Sequence, residues 1–232
     1  MANNGRISRY ALIPTHDRLE QLAALVGTLN LQRCDHIIII DNASDPPVSK
    51  LWLPVEIGRK TQVVRDAEQP PNLYRMWNRG FALIAMTAQI MGEKEWDVVV
   101  LNDDTELPDG WLDYVTTELR RHDPTAVACT DPYGILTARL LKTQPDGNIQ
   151  TRMCPWAFVV RGELGLRADE TLRWWWGDTD FDWQACNAGG VLLLPGHTTK
   201  NTCANSTTHG ELAEQAGRDG QTFAAKWGWR PW

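Results

Sequence analysis

Two adjacent carboxylates, Asp103 and Asp104, follow the run Asp97-Val98-Val99-Val100-Leu101 after a single Asn102. Neighbouring acids at a strand end repel one another unless a cation lies beside them. Hard divalent ions such as Mg2+ or Mn2+ take carboxylate oxygens and also bridge phosphate oxygens, so the pair predicts a metal site able to neutralise a departing diphosphate. The plain alternative is a solvated turn, or a cap for the helix expected from Pro108. A second acidic run, Asp178, Asp180 and Asp182, follows Trp174-Trp175-Trp176-Gly177. Taken by itself it reads as a helix N-terminus, where carboxylates meet unpaired N–H groups.

Short apolar runs alternating with helical patterns must position these groups. Strands are expected over Tyr10–Pro14, His36–Asp41, Gln62–Arg65, Asp97–Leu101 and Ala126–Thr130, with helices over Arg18–Leu29, Asn72–Ile90 and Pro108–Arg121. That alternation predicts βαβ units and a mainly parallel, doubly wound sheet. Ile37–Ile40 is four consecutive β-branched residues, as suits a strand buried on both faces. In such sheets ligands bind beyond the carboxyl ends of the strands. The residues there are polar: Pro14-Thr15-His16-Asp17-Arg18, Asp41-Asn42-Ala43-Ser44 and Asn102-Asp103-Asp104-Thr105. Further on, Ile135–Lys142 and Asn148–Cys154 flank the turn Gln144-Pro145-Asp146-Gly147 and predict a β-hairpin above the sheet. Trp156–Arg161 and Val191–Leu194 read as strands, Asp178–Ala188 and Glu211–Trp227 as helices, and the stretch from Gly196 to Gly210 as a loop.

A chain of 232 residues with 43% hydrophobic and 22% charged residues can bury one sizeable core. The formal charge of -6 supplies no field for sequence-independent nucleic-acid binding. Five separated cysteines with no CxxC pair fit neither a zinc knuckle nor a closed disulfide framework, so reduced thiols and a cytoplasmic location are expected. No run of about 18 apolar residues predicts a membrane span. Tryptophan is over-represented at 12 copies, and aromatic faces stack on sugar C–H faces, although each copy is equally well read as core.

In order along nearly the whole chain, Pro14–Arg18, His36–Ser44, Asn72–Gly80, Val100–Thr105 and Gly177–Phe181 together resemble the inverting family-2 glycosyltransferases of GT-A fold, particularly their rhamnosyltransferase-like branch. The resemblance implies a Rossmann-like, GT-A-type α/β sheet flanked by helices in a single domain, with a nucleotide-sugar half to about residue 130 and an acceptor-side hairpin and helix region from about 131 to 232. It implies a hexosyl- or deoxyhexosyltransferase that takes a nucleotide-diphosphate sugar as donor and uses Mn2+ or Mg2+. Pro14, Thr15, Arg18, Asp41, Asn42, Ser44, Asn78 and Asp103 then fall on the donor side, and Asp104, assisted by Asp103, on the metal. Asn102 stands at the usual first acidic position of the DxD-type motif. Asp178 inherits the role of the base that deprotonates the acceptor, with Asp180 second and Asp182 third, because Gly177 replaces the usual Glu. Trp156, Trp175 and Trp176 are assigned to the acceptor pocket. A histidine often completes the metal shell in relatives; His209 is preferred here to His197, while Asn201 falls where some relatives place it.

Asn102 and Gly177, standing where acids are usual, leave open a non-catalytic nucleotide-sugar or carbohydrate-binding protein of the same fold. A nucleotidyltransferase shares the layered plan, but no glycine-rich loop with a following basic residue occurs near the N-terminus. No P-loop and no dinucleotide GxGxxG fingerprint is present either. The acceptor class, whether glycan, lipid, protein or modified nucleic acid, is not specified by these residues.

Overall fold

The computed structural model describes residues 6–49, 52–143, 153–203 and 210–228. The strand signals become β1 (Ser8–Thr15), β2 (His36–Asp41), β3 (Thr61–Arg65), β4 (Trp96–Leu101), β5 (Thr105–Glu106), β6 (Val127–Thr130), β7 (Arg139–Leu141), β8 (Ala157–Arg161), β9 (Val191–Leu194) and β10 (Lys200–Asn201). The helices are α1 (Leu19–Leu31), α2 (Val55–Gly58), α3 (Leu73–Ile90), α4 (Trp111–Arg121), α5 (Gly177–Asn187) and α6 (Glu211–Trp227).

One eight-stranded sheet has the order β3-β2-β1-β4-β8-β6-β9-β7, and β5 and β10 form a separate two-stranded pair. β1 to β4 run parallel to one another, β8 is inserted antiparallel between β4 and β6, and β9 is parallel to β6. The central strands are apolar on both faces because helices cover both: Ile37 to Ile40 and Val98 to Leu101 are all buried. On α3, Asn72 caps the first turn by accepting from the backbone N–H groups of Tyr74 and Arg75, both at 3.0 Å. Its inner face places Trp77 edge-on to Phe158 and Phe181, which ties α3 to β8 and α5.

The stretch 135–142 contains the short β7, which pairs antiparallel with β9 at the sheet edge; the expected turn at 144–147 and the arm from 148 to 152 lie outside the described residues. The tryptophan surplus is in good part structural, since Trp77, Trp111 and Trp183 are among the largest fully buried side chains. The pairing of β5 with β10 was not anticipated, because two-residue strands carry no periodicity. The cysteines are free thiols, and among the described residues no helix is long and apolar enough to cross a membrane.

Candidate active site

The carboxyl ends of β1, β2, β3 and β4 form one rim, and the loops leaving them are tied to each other. Asn42 N–H donates to the Thr15 carbonyl at 2.8 Å, Asp17 N–H to Ser44 Oγ at 3.1 Å and Asp45 N–H to Asp17 Oδ1 at 2.7 Å. Asp17 reaches this position with φ 54, a left-handed conformation that Asp tolerates better than most residues. Beside these loops an open cleft of about 500 Å³ is lined by Asp41, Pro47, Val48, Thr61, Val63 and Arg65.

Asp41 is more constrained than a simple nucleoside acceptor would be. It is 1% exposed; Oδ1 accepts from Ser44 N–H at 2.9 Å, and Oδ2 accepts from Arg65 Nη1 at 2.9 Å and from Val48 N–H at 3.3 Å. It therefore shapes the cleft wall by holding the turn and Arg65. Ser44 is likewise buried with its hydroxyl engaged, and Asn42 is buried, while Pro14 and Arg18 are half-buried. Asp66, which the sequence reading did not single out, continues this wall: its N–H donates to the Asp41 carbonyl at 2.7 Å and its buried carboxylate takes Arg75 Nη2 at 3.3 Å.

Asp103 and Asp104 sit where expected, after β4, and both are buried. Thr15 Oγ1 donates to Asp103 Oδ2 at 2.7 Å, and Arg18 Nη1 donates to both carboxylates, at 3.1 Å to Asp103 Oδ1 and 2.8 Å to Asp104 Oδ2. Burial pushes the Asp103 carboxyl above its ordinary pKa against the pull of Thr15 and Arg18. Burial also works to lower the Arg18 pKa, but the two carboxylates outweigh it and hold the guanidinium firmly charged.

The residue that closes over Asp104 comes from the far end of the chain. Thr202 N–H and Oγ1 donate to the Asp104 carbonyl at 3.0 and 2.9 Å, which places Asn201 against the carboxylate. With its amide turned to satisfy the network, Asn201 donates to both Asp104 oxygens, at 3.1 Å to Oδ2. Of the two candidate histidines, His197 stacks on Tyr114 with ring centroids 4.7 Å apart, and His209 lies outside the described residues. Trp156 is fixed at the same rim, its indole N–H donating to Thr199 Oγ1 at 3.0 Å and its carbonyl accepting from Asn102 N–H at 3.0 Å.

The second acidic run reaches this edge through α3, which starts there as the chain returns from β3. Leu73 N–H donates to the Arg173 carbonyl at 2.9 Å and Tyr74 Oη to the Trp174 carbonyl at 3.2 Å. From the other side Asp219 on α6 uses one oxygen, Oδ2, to accept the N–H groups of Arg173, Trp174 and Trp175 at 3.1, 2.9 and 3.0 Å. Trp176 adopts φ 68 and packs its ring 5.4 Å from that of Phe223. α5 then begins at Gly177.

The three candidate bases separate clearly. Asp178 is half-buried, with Oδ1 accepting from Thr179 N–H at 2.9 Å. Asp180 is 0% exposed and its oxygens are taken by Trp227 Nε1, Lys226 Nζ and Gln184 Nε2, each at 2.7 Å, so it anchors α6 and its runner-up role as base is withdrawn. Asp182 is 1% exposed, within the core-facing side of α5. Trp175 and Trp176 are half-buried; Trp176 spends its ring on α6 rather than on an open pocket. Asn78 is also reassigned, because Nδ2 donates to the Ala168 carbonyl and Oδ1 accepts Ala168 N–H, at 2.8 and 2.9 Å. With Nδ2 also donating to Glu170 Oε1 at 2.8 Å, it fastens the segment before the tryptophans to α3.

No family model and no curated protein matches this sequence. Solved structures do match in shape. S. aureus TarS 1-349 in complex with UDP-GlcNAc is 12% identical with a TM-score of 0.63, over 94% of this chain and 71% of that one. A second structure of TarS 1-349 gives 12% identity and a TM-score of 0.60, over 83% of this chain; this chain spans 59% of that one's length. A mycobacterial protein gives 13% and 0.60, over 98% of this chain and 76% of its own. The fold is GT-A-like. At these identities the agreement concerns the arrangement of the sheet and its helices, and the roles of single residues rest on the geometry above.

Proposed function

We propose that this chain is an inverting glycosyltransferase of the family-2 type that moves a hexosyl or deoxyhexosyl group from a nucleotide-diphosphate donor to an acceptor hydroxyl. The observation that carries the reading is the buried Asp103–Asp104 pair, bridged by Arg18 at the carboxyl end of β4 in a GT-A-like sheet; the half-buried Asp178 is assigned to the same reaction as its base. The TarS chain of like fold holds UDP-GlcNAc, which supports a nucleotide sugar as the donor class.

The cleft walled by Asp41, Val48 and Arg65 is assigned to the nucleoside. Among the described residues no cluster of three His, Cys, Asp or Glu surrounds the acidic pair. Among the described residues the two carboxylates of the pair offer oxygen donors that suit a hard divalent ion, with positions left for phosphate and water. Held by Asp104 and Asp103, Mn2+ or Mg2+ would supply charge neutralisation for the departing diphosphate. Asp178 takes the acceptor proton as the acceptor oxygen bonds to the anomeric carbon and the bond to the diphosphate oxygen breaks, inverting that carbon. Trp156 and Trp175 are proposed to border the acceptor.

The test is a screen of nucleotide-diphosphate sugars for a thermal shift, with Mn2+ and with chelator, in the wild type and Asp104→Asn, followed by NMR of the product anomer. A donor whose stabilisation needs both the ion and Asp104, and a product of inverted configuration, are expected. Equal stabilisation in all four conditions, or a retained anomer, overturns the reading.

A further inference from the structure

We infer that Arg18 is the resident counter-ion of the Asp103–Asp104 pair, so that its guanidinium and a divalent cation contend for the same oxygens and a nucleotide diphosphate settles the contest by drawing Arg18 onto itself. This rests on the proposed metal site and adds a residue that couples it to the nucleotide.

Three observations lead there. First, the pair is sealed from water while its cation is not: the side chains of Asp103 and Asp104 are 7% and 2% exposed, and that of Arg18 is 29%. Second, one nitrogen does all the bonding. Nη1 donates to both carboxylates, and among the described residues Arg18 makes no other side-chain hydrogen bond. A guanidinium carries five N–H donors in a planar fork, so Nε and Nη2 remain for a second planar or tetrahedral anion. Third, two buried negative charges face one positive charge, leaving an excess of one that Thr15 and Asn201 can only dilute by hydrogen bonding. The pair is therefore stable as it stands and still attractive to a further cation.

Arg18 lies at the entry to α1 with φ -125 and ψ 52 and no side-chain cap bond, so its side chain is free to swing without unwinding the helix. When diphosphate oxygens take the fork, the carboxylates regain their full charge and their affinity for the ion rises. By reciprocity the ion must strengthen nucleotide binding by the same factor. Without nucleotide, Arg18 holds the site against loose ions.

The experiment measures Mn2+ uptake directly, by electron paramagnetic resonance of the free ion, in the wild type, Arg18→Gln, Arg18→Lys and Asp104→Asn, without nucleotide and with UDP as the probe. Circular dichroism and melting confirm that each variant is folded. Removing the guanidinium charge beside a partly buried pair is expected to tighten nucleotide-free Mn2+ binding on the order of tenfold or more, and to shrink the gain conferred by UDP. Arg18→Lys, which keeps the charge, should stay near wild type, and Asp104→Asn should lose the ion. Mn2+ binding that is enhanced by UDP but unchanged or weakened in folded Arg18→Gln overturns the inference and leaves the metal reading standing. Uptake by Arg18→Gln alone supports Arg18 as the resident cation and removes the metal from the proposed reaction. No uptake by any protein in any condition overturns both.

Discussion

Gly177 lies directly against Tyr74: a Cβ at this glycine would stand 2.3 Å from both Cε2 and Cζ of the Tyr74 ring. Any side chain here, an acid included, cannot fit without moving a buried tyrosine whose hydroxyl holds the Trp174 carbonyl. Gly177→Ala should therefore cost about 1–3 kcal/mol, the range for forcing a group into a packed core. Chemical denaturation of Gly177→Ala and of Gly177→Ala/Tyr74→Leu checks this, the double variant recovering part of the loss. Equal stability of Gly177→Ala and wild type would refute the packing account.

Asp178 and Asp180 are expected to fail differently. Asp178→Asn should keep its fold and lose roughly 10²-fold or more in kcat with donor binding preserved. Asp180→Asn should lower the melting temperature, because it removes the charge facing Lys226, a pair worth about 2 kcal/mol after allowance for the half-exposed lysine. Transfer kinetics and melting on both variants separate the roles. Loss of kcat in a fully stable Asp180→Asn would return the base to Asp180.

Replacing Asp219 tests the clamp on the tryptophan loop. Asp219→Ala leaves three N–H groups without their acceptor and should cost about 3 kcal/mol or more, while Asp219→Asn, which keeps an oxygen, should cost about half as much. If the loop positions Asp178, kcat should fall in Asp219→Asn with little change in donor affinity. Unaltered kcat in that variant would confine Asp219 to stability.

The donor wall is tested at Asp41, whose carboxylate holds Ser44, Val48 and Arg65. Asp41→Ala should weaken nucleotide binding and also lower stability, because the turn and the ion pair are lost together. Calorimetric titration with the donor nucleotide, once known, checks it, and unchanged donor Kd in the folded variant would limit Asp41 to the turn.

Away from the site, Asp97 gives a pH dependence. Burial pushes its carboxyl up to about 6 against the pull of Arg120, whereas the unfolded chain titrates near the ordinary value of 3.8. Between these values the folded state binds more protons than the unfolded one, so this group's contribution falls as pH rises from about 4 to about 6 and is level above that. The melting temperature of the wild type relative to Asp97→Asn should follow that curve. A difference that grows with pH over this interval would show that the carboxyl is depressed instead.

Much of this was legible in the sequence because local patterns sufficed. Val191–Leu194 is an apolar run and forms β9; the periodic stretch from Asn72 to Ile90 forms α3. Asp103 and Asp104 could be placed on a rim because they end a buried strand. What was not legible depends on partners far apart in the chain. Asp219 looks like a helix-surface acid until its acceptor role toward residues 44 to 46 positions earlier is seen. Asn78 offers no signal that Ala168 and Glu170 will take up its amide. The order of β8 between β4 and β6 is a tertiary choice that strand propensity does not encode.

Thr202, 98 residues after Asp104, holds that residue's carbonyl, and α6 holds the loop in front of Asp178. Chains leave the ribosome N-terminus first, so β4 and its two acids emerge well before the segments that cover and aim them. A nascent chain that has reached only β6 has the wall built on Asp41 but neither the cover over Asp104 nor the clamp on the tryptophan loop. The cover over Asp104 and the clamp on the tryptophan loop are thus late additions to a rim that β1 to β4 have already laid down.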